Sequence, residues 1–102
     1  MSSLRIPVSP HDHASGPADA PVVLVEYGDY QCPYCGAAYP VVKELLAAYE
    51  GRVRFVFRNF PLAEVHPEAV DAAFVAEFAA EHGKFWEAHD LLFEHQQQLG
   101  PE

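Results

Sequence analysis

Cysteine is scarce in this chain: Cys32 and Cys35 are the only two in 102 residues. A scaffold held together by several disulfides is therefore excluded. Basic residues are scarce as well. Arg5, Lys43, Arg52, Arg54, Arg58 and Lys84 face 15 acidic residues, for a formal net charge of −9. Nucleic acid is excluded as a partner, because phosphate binding needs a basic patch. The cluster Arg52, Arg54 and Arg58 reads as the solvated end of a strand. No apolar run approaches the roughly 18 residues of a membrane span, so no membrane segment is expected. The N-terminus, MSSLRIPVSPHDH, lacks a charged-then-apolar leader pattern. On that ground the chain is expected in the cytoplasm, or in the periplasm if a leader has been removed. Internal repeats are absent, and the length fits one domain, residues 1–102.

What is present is a strand–helix–strand pattern. Residues 9–21, SPHDHASGPADAP, have the composition of a loop or linker arm. Before them LRIPV, Leu4 to Val8, alternates apolar and polar residues and predicts a short edge strand, where Pro7 is tolerated. VVLVEY, Val22 to Tyr27, is a β-branched run that reads as a buried parallel strand. A helix is expected from Pro33 to about Glu50, with Ala37, Val41, Leu45 and Ala48 on one stripe and Val42, Leu46 and Tyr49 beside it. Gly51 stops it and Pro40 predicts a kink. RVRFVF, Arg52 to Phe57, is a second strand, which completes a right-handed βαβ unit. After the loop RNFPLAEVHPE, a helix to about His82 places Val70, Phe74 and Phe78 in the core. Gly83 separates it from a helix running from Lys84 to about Leu99, with Phe85, Ala88 and Leu92 on one face and Trp86 and Phe93 on a second. Gly100 and Pro101 end that helix.

The two cysteines fall in DYQCPYCGAAYP, Asp29 to Pro40. Three readings compete for a C-x-x-C pair. A structural staple would close a very short loop and stabilise little. A zinc site needs four ligands, and the histidines supply no H-x(3–5)-H pair: His11 and His13 lie in the arm, His66 at a helix start, and His82, His89 and His95 on solvated helix faces. A redox pair fits the context. Cys32 follows a buried strand and opens a helix, whose unpaired N–H groups favour a thiolate, the attacking species. Cys35, one turn later, is within reach of a mixed disulfide formed at Cys32. Pro33 rigidifies the turn and Tyr34 tunes its surface. Glu26, the one charge in its strand, either lies buried with a raised pKa and exchanges a proton with Cys35, or faces water at the strand end. Asp29 reads as a solvated or helix-capping acid. Tyr30, Tyr34 and Phe60 are candidate substrate-contacting aromatics, and the remaining phenylalanines and Trp86 are core candidates.

VLVEYGDYQCPYCGAAYP, RFVFRNFPL, HPEA and GKFWEAHDLLF, in this order from about Gly16 to Phe93, resemble the DsbA-like branch of the thioredoxin superfamily. The resemblance implies an α/β fold: a thioredoxin-like βαβ half with a short N-terminal edge strand, followed by a helical hairpin. It implies thiol–disulfide oxidoreductase activity on protein or peptide thiols, with Cys32 as nucleophile, Cys35 as resolving cysteine and Glu26 as the acid behind them. The redox-active disulfide is then the only cofactor, and a redox partner or glutathione is the second substrate. Relative to that family the chain is C-terminally truncated: the ββα half that carries a cis-proline loop has no counterpart in it. Two or three strands with an open edge then imply a homo-oligomer or a fragment of a longer protein. Two other readings stand beside this one: a glutaredoxin-like, glutathione-dependent reductase, since C-P-Y-C also occurs there, and a catalytically impaired domain kept for binding or assembly.

Overall fold

In the computed structural model, which describes residues 6–99, the chain runs β1 (His13–Ser15), β2 (Val22–Gly28), α1 (Pro33–Ala48), β3 (Val53–Asn59), α2 (Ala69–Ala80), α3 (Phe85–Glu94) and a 3-10 turn (Gln96–Gln98). The β-branched and aromatic runs of β2 and β3 pair in parallel, from Val22 opposite Val53 to Gly28 opposite Asn59, and α1 is their crossover. The sheet order is β1-β3-β2. The α/β class, with a thioredoxin-like βαβ unit followed by two helices, is the one expected.

The edge strand lies elsewhere than predicted. Leu4 and Arg5 fall outside the described residues, and Ile6 to Val8 form no strand. Instead His13–Ser15, inside the supposed linker arm, pairs antiparallel with β3, His13 opposite Phe57. The arm is held down by side chains. Arg58 binds Asp12 through Nε and Nη2 at 2.8 and 3.0 Å, and His13 stacks on the Phe85 ring at 3.7 Å while Nε2 meets Glu77 at 2.9 Å. Arg58 therefore belongs to a largely buried ion pair rather than to a solvated strand end. The guanidinium holds the Asp12 carboxyl below its ordinary pKa.

Central position explains why Phe55, Val56 and Phe57 of β3 are all buried. The strand register puts Leu24, Glu26, Phe55 and Phe57 on one face. On that face Phe57 meets Tyr30, Phe85, His89 and Phe93, while Leu24, Tyr39, Val42 and Leu46 pack around the same cluster. The strand β2 is less buried than its sequence predicts. It is the outer strand of the described sheet, and Val22 and Val23 stay half exposed. Along its open side Pro21, Val22, Leu24, Leu45 and Tyr49 line an apolar hollow of about 630 Å³.

The second helix turns the opposite way from the prediction. Val70, Phe74 and Phe78 point outward, Phe74 being 72 % exposed, and Ala69, Ala72, Ala73 and Ala76 form the buried face. Small side chains let α2 approach the Phe57–Phe85 cluster closely, so the aromatics have no room on that side. Ala76→Leu should therefore overpack this contact and lower stability by about 1–3 kcal/mol, whereas Phe74→Ala should change it by about 0.5 kcal/mol or less. Urea denaturation of the two variants checks both values.

Helix α3 buries Phe85, His89 and Phe93 at a spacing of four. Ala88 and Leu92, expected beside Phe85, are only partly buried. The helix ends at Glu94, before the 3-10 turn, and Gly100 and Pro101 lie outside the described residues. The first helix runs unbroken through Pro40.

Candidate active site

Parallel β2 delivers the chain to the carboxyl edge of the sheet, and there Asp29 to Cys35 form the junction into α1. Cys32 is the N-cap of α1, with extended backbone angles of φ −70° and ψ 125°, and Pro33 occupies the first helical turn, where its missing N–H costs nothing. The Cys32 N–H donates to the Asp29 carbonyl at 3.1 Å, and the Gly36 N–H closes the first turn on the Cys32 carbonyl at 3.0 Å. Tyr34 projects into solvent, 87 % exposed.

Both cysteines are free thiols and partly buried. Their surroundings differ. Cys35 packs against the aromatic cluster. Burial pushes its thiol up to about 11, with the Cys32 sulfur and the Glu26 carboxylate adding to the shift against an opposing hydrogen bond from the Asp29 backbone. Glu26 lies half-buried on β2, and burial raises its carboxyl above the ordinary range. Glu26 and Cys35 line one open depression of about 430 Å³, together with Leu24, Tyr34, Val42 and Phe55. Among the described residues, no group of three or more His, Cys, Asp or Glu side chains is placed to hold a metal ion.

The turn is tied down by side chains that its sequence does not advertise. Asp29, read as a solvated or helix-capping acid, is 3 % exposed. Its carboxylate accepts from the Gln31 N–H at 2.8 Å, the Leu62 N–H at 2.9 Å and His66 Nδ1 at 2.8 Å. Burial pulls this carboxyl upward, but the three hydrogen bonds outweigh it and hold the pKa below the ordinary value. Gln31 Oε1 accepts the Glu68 N–H at 2.7 Å. The loop between β3 and α2 is thereby fastened to the residues just before Cys32, and His66 is part of that fastening rather than a plain helix-start residue.

Tyr30 does not offer a substrate surface. It is 1 % exposed, and its ring packs on Phe57 and Phe93 at 5.2 and 4.7 Å. Its hydroxyl lies 2.9 Å from His89 Nδ1, and the two form a buried hydrogen bond. His89 is likewise not a solvated histidine. It is 4 % exposed within a shell of Phe55, Phe57, Phe85, Trp86 and Phe93, and burial lowers its pKa to about 4. Lys43 lowers it further, against Asp90. A histidine among aromatics spaced by four, Phe85, His89 and Phe93, was the signal available for this contact. Gln96 had none: from the 3-10 turn its Nε2 donates to the carbonyls of Tyr30 and Cys32, both at 2.8 Å. Phe60 is exposed and meets the Tyr27 ring edge-on at 6.3 Å.

A three-stranded mixed sheet with a C-x-x-C pair at a strand-to-helix junction defines a thioredoxin-type fold. The chain matches the thioredoxin family over residues 8–102 and belongs to it. Among solved structures it resembles a thioredoxin-like oxidoreductase from Silicibacter pomeroyi (33 % identity, TM-score 0.75, covering 83 % of this chain and 47 % of that one). DsbA2 of Pseudomonas aeruginosa is similar at 30 % identity and a TM-score of 0.73, covering 85 % of this chain and 50 % of that one. The alpha-DsbA1 of Wolbachia pipientis, at 21 % identity and a TM-score of 0.78 over 92 % of this chain, shares the fold. Among curated proteins, the Na(+)/H(+) antiporter NhaA 3 of Salinispora tropica is 57 % identical over 99 residues, covering 96 % of this chain and 15 % of that protein. NhaA 1 of Mycolicibacterium vanbaalenii is 49 % identical over 94 residues, covering 91 % of this chain and again 15 % of the other. The chain thus spans a small part of the curated relatives and about half of the structural ones. No described helix is long and apolar enough to cross a membrane.

Proposed function

We propose that the chain is a DsbA-like thiol–disulfide exchange unit acting on peptide or protein cysteines. The observation that carries this is the asymmetry of the pair: Cys32 caps a helix N-terminus, and Cys35 is pressed into the core with its thiol pushed up to about 11. The Cys32 thiolate attacks one sulfur of a substrate disulfide. A Cys32–substrate disulfide forms, and the other substrate sulfur leaves as a thiolate. Cys35, losing its proton, then attacks the Cys32 sulfur, which closes the Cys32–Cys35 disulfide and releases the second substrate thiolate. Two electrons pass to the substrate, and the reverse sequence oxidises a dithiol. Glu26, sharing the depression with Cys35 and with its proton affinity raised by burial, is the group suited to accept the Cys35 proton. The exposed rings of Tyr34 and Phe60 are suited to apolar side chains of a substrate. Solved relatives described as a thioredoxin-like oxidoreductase, as BdbD and as DsbA2 support the reading.

The test is stoichiometric. Reduced protein mixed with a disulfide-linked peptide should release two peptide thiols for each Cys32–Cys35 disulfide formed, counted by mass spectrometry after acid quenching. Unchanged disulfide peptide after hours at neutral pH, together with an unchanged dithiol peptide when the oxidised protein is used instead, would sink the proposal. The curated relatives favour a second reading about context: the same exchange unit serving as the thioredoxin-like part of a longer sodium/proton antiporter chain.

A further inference from the structure

The Gln96 amide makes two hydrogen bonds that bracket the proposed nucleophile. A primary amide carries two N–H donors, and Nε2 spends one on the Tyr30 carbonyl and one on the Cys32 carbonyl, each at 2.8 Å. The Cys32 carbonyl also takes the Gly36 N–H at 3.0 Å, so both of its lone pairs are engaged. The Tyr30–Gln31 and Cys32–Pro33 peptide planes are therefore held from outside the turn, by a residue 64 positions from Cys32. Gly36 makes the reach possible. A Cβ at that position would come within 2.2 Å of Gln96 Oε1 and 2.8 Å of Cδ. A neighbouring glutamine with the same side chain cannot substitute, because Gln97 and Gln98 are exposed.

We propose that Gln96 is a positioning residue for Cys32, clamping the Cys32 carbonyl and the Tyr30 carbonyl two residues before it so that the two sulfurs are already set for disulfide closure. A disulfide tolerates a narrow range of Cβ separations and torsions. A turn free to rotate about Cys32 would have to give up that freedom on each closure, and the effective concentration of one sulfur at the other would fall. The inference rests on the exchange reading and names a residue that serves it without touching substrate.

The experiment equilibrates the protein with glutathione buffers, in which the protein dithiol and one glutathione disulfide yield the protein disulfide and two glutathione thiols. Gln96→Met keeps the length and apolar stem but removes both donors. Its closure constant should fall about tenfold relative to the natural chain, because the freed turn must give up its motion on each closure. Gln97→Met should leave the constant unchanged. A Gln96→Met constant within twofold of the natural value overturns the clamp while leaving the exchange reading intact. A natural chain that forms no disulfide in any buffer overturns the exchange reading and the clamp with it. Should Gln96→Met fail to fold, the natural chain still decides. The two side-chain amide protons of Gln96 should exchange with solvent at least tenfold more slowly than those of Gln97 and Gln98, and equal rates overturn the clamp.

Discussion

Cys32→Ser is expected to lower disulfide exchange by on the order of a thousandfold or more, to the level of solution thiols, while Cys35→Ser accumulates a covalent adduct between Cys32 and substrate. The difference follows from the placement of the two sulfurs. The helix N-terminus opposite Cys32 offers unpaired N–H groups to a developing negative sulfur, and a serine hydroxyl cannot ionise there at neutral pH. Cys35 lies behind it against Leu24, Val42 and Phe55, with its proton held by burial. Without Cys35 the first attack proceeds and nothing resolves the product. Non-reducing mass spectrometry after incubation with a disulfide-linked peptide separates the outcomes: adduct for Cys35→Ser, none for Cys32→Ser. Adduct on Cys35 in the Cys32→Ser chain would reverse the assignment of attacker and resolver.

Acidification from pH 7 to pH 4 should cost about 3 kcal/mol of folding stability through His89 alone. Its pKa is lowered to about 4 in the folded chain from an ordinary 6.5. Above pH 6.5 the imidazole is neutral whether the chain is folded or not, and the ring contributes its full packing. Between 6.5 and 4 the unfolded chain binds a proton that the folded chain refuses, so stability falls as pH falls. Below about 4 the loss is complete. Glu26 acts in the opposite sense within the same cavity, since its raised pKa favours the folded chain in acid. Asp29, whose pKa is lowered, loses its contribution only as pH drops below its ordinary 3.8. His89→Gln keeps an acceptor for the Tyr30 hydroxyl and does not titrate. Urea denaturation across this range should therefore show a flatter pH profile for His89→Gln, and an equally steep one would assign the acid sensitivity elsewhere.

The βαβ unit and the C-P-Y-C turn were legible because their signals are local: β-branched runs, a helical stripe and a spacing of three residues. The wrong face of α2 has a physical cause. Val70, Phe74 and Phe78 form a larger apolar stripe than Ala69, Ala72, Ala73 and Ala76, and hydrophobicity alone ranks them as core. Which face goes inward was decided by the space left by Phe57 and Phe85, and those belong to other elements. The strand His13–Ser15 was hidden for a similar reason. Three residues of loop composition become a strand because β3 offers them an edge and Asp12, His13 and Trp86 anchor them, the indole donating to the Ala14 carbonyl at 3.3 Å. At the site the cysteines announced themselves, whereas Tyr30 and His89 looked like surface residues and Asp29 like a solvated or helix-capping acid. Each is buried by a partner dozens of residues away: Asp29 by Leu62 and His66, and Tyr30 by His89.

Those separations also tie the turn to segments later in the sequence. The redox turn is only seven residues from Asp29 to Cys35, yet it is secured by groups 33 to 66 positions distant. Contacts of that span form late, after the chain entropy of closing long loops has been overcome. During refolding the strands and α1 can collapse first, but Tyr30 finds His89, and Cys32 finds Gln96, only when α3 docks. The geometry of the cysteine turn therefore needs the docked α3 and is not completed by the βαβ unit alone.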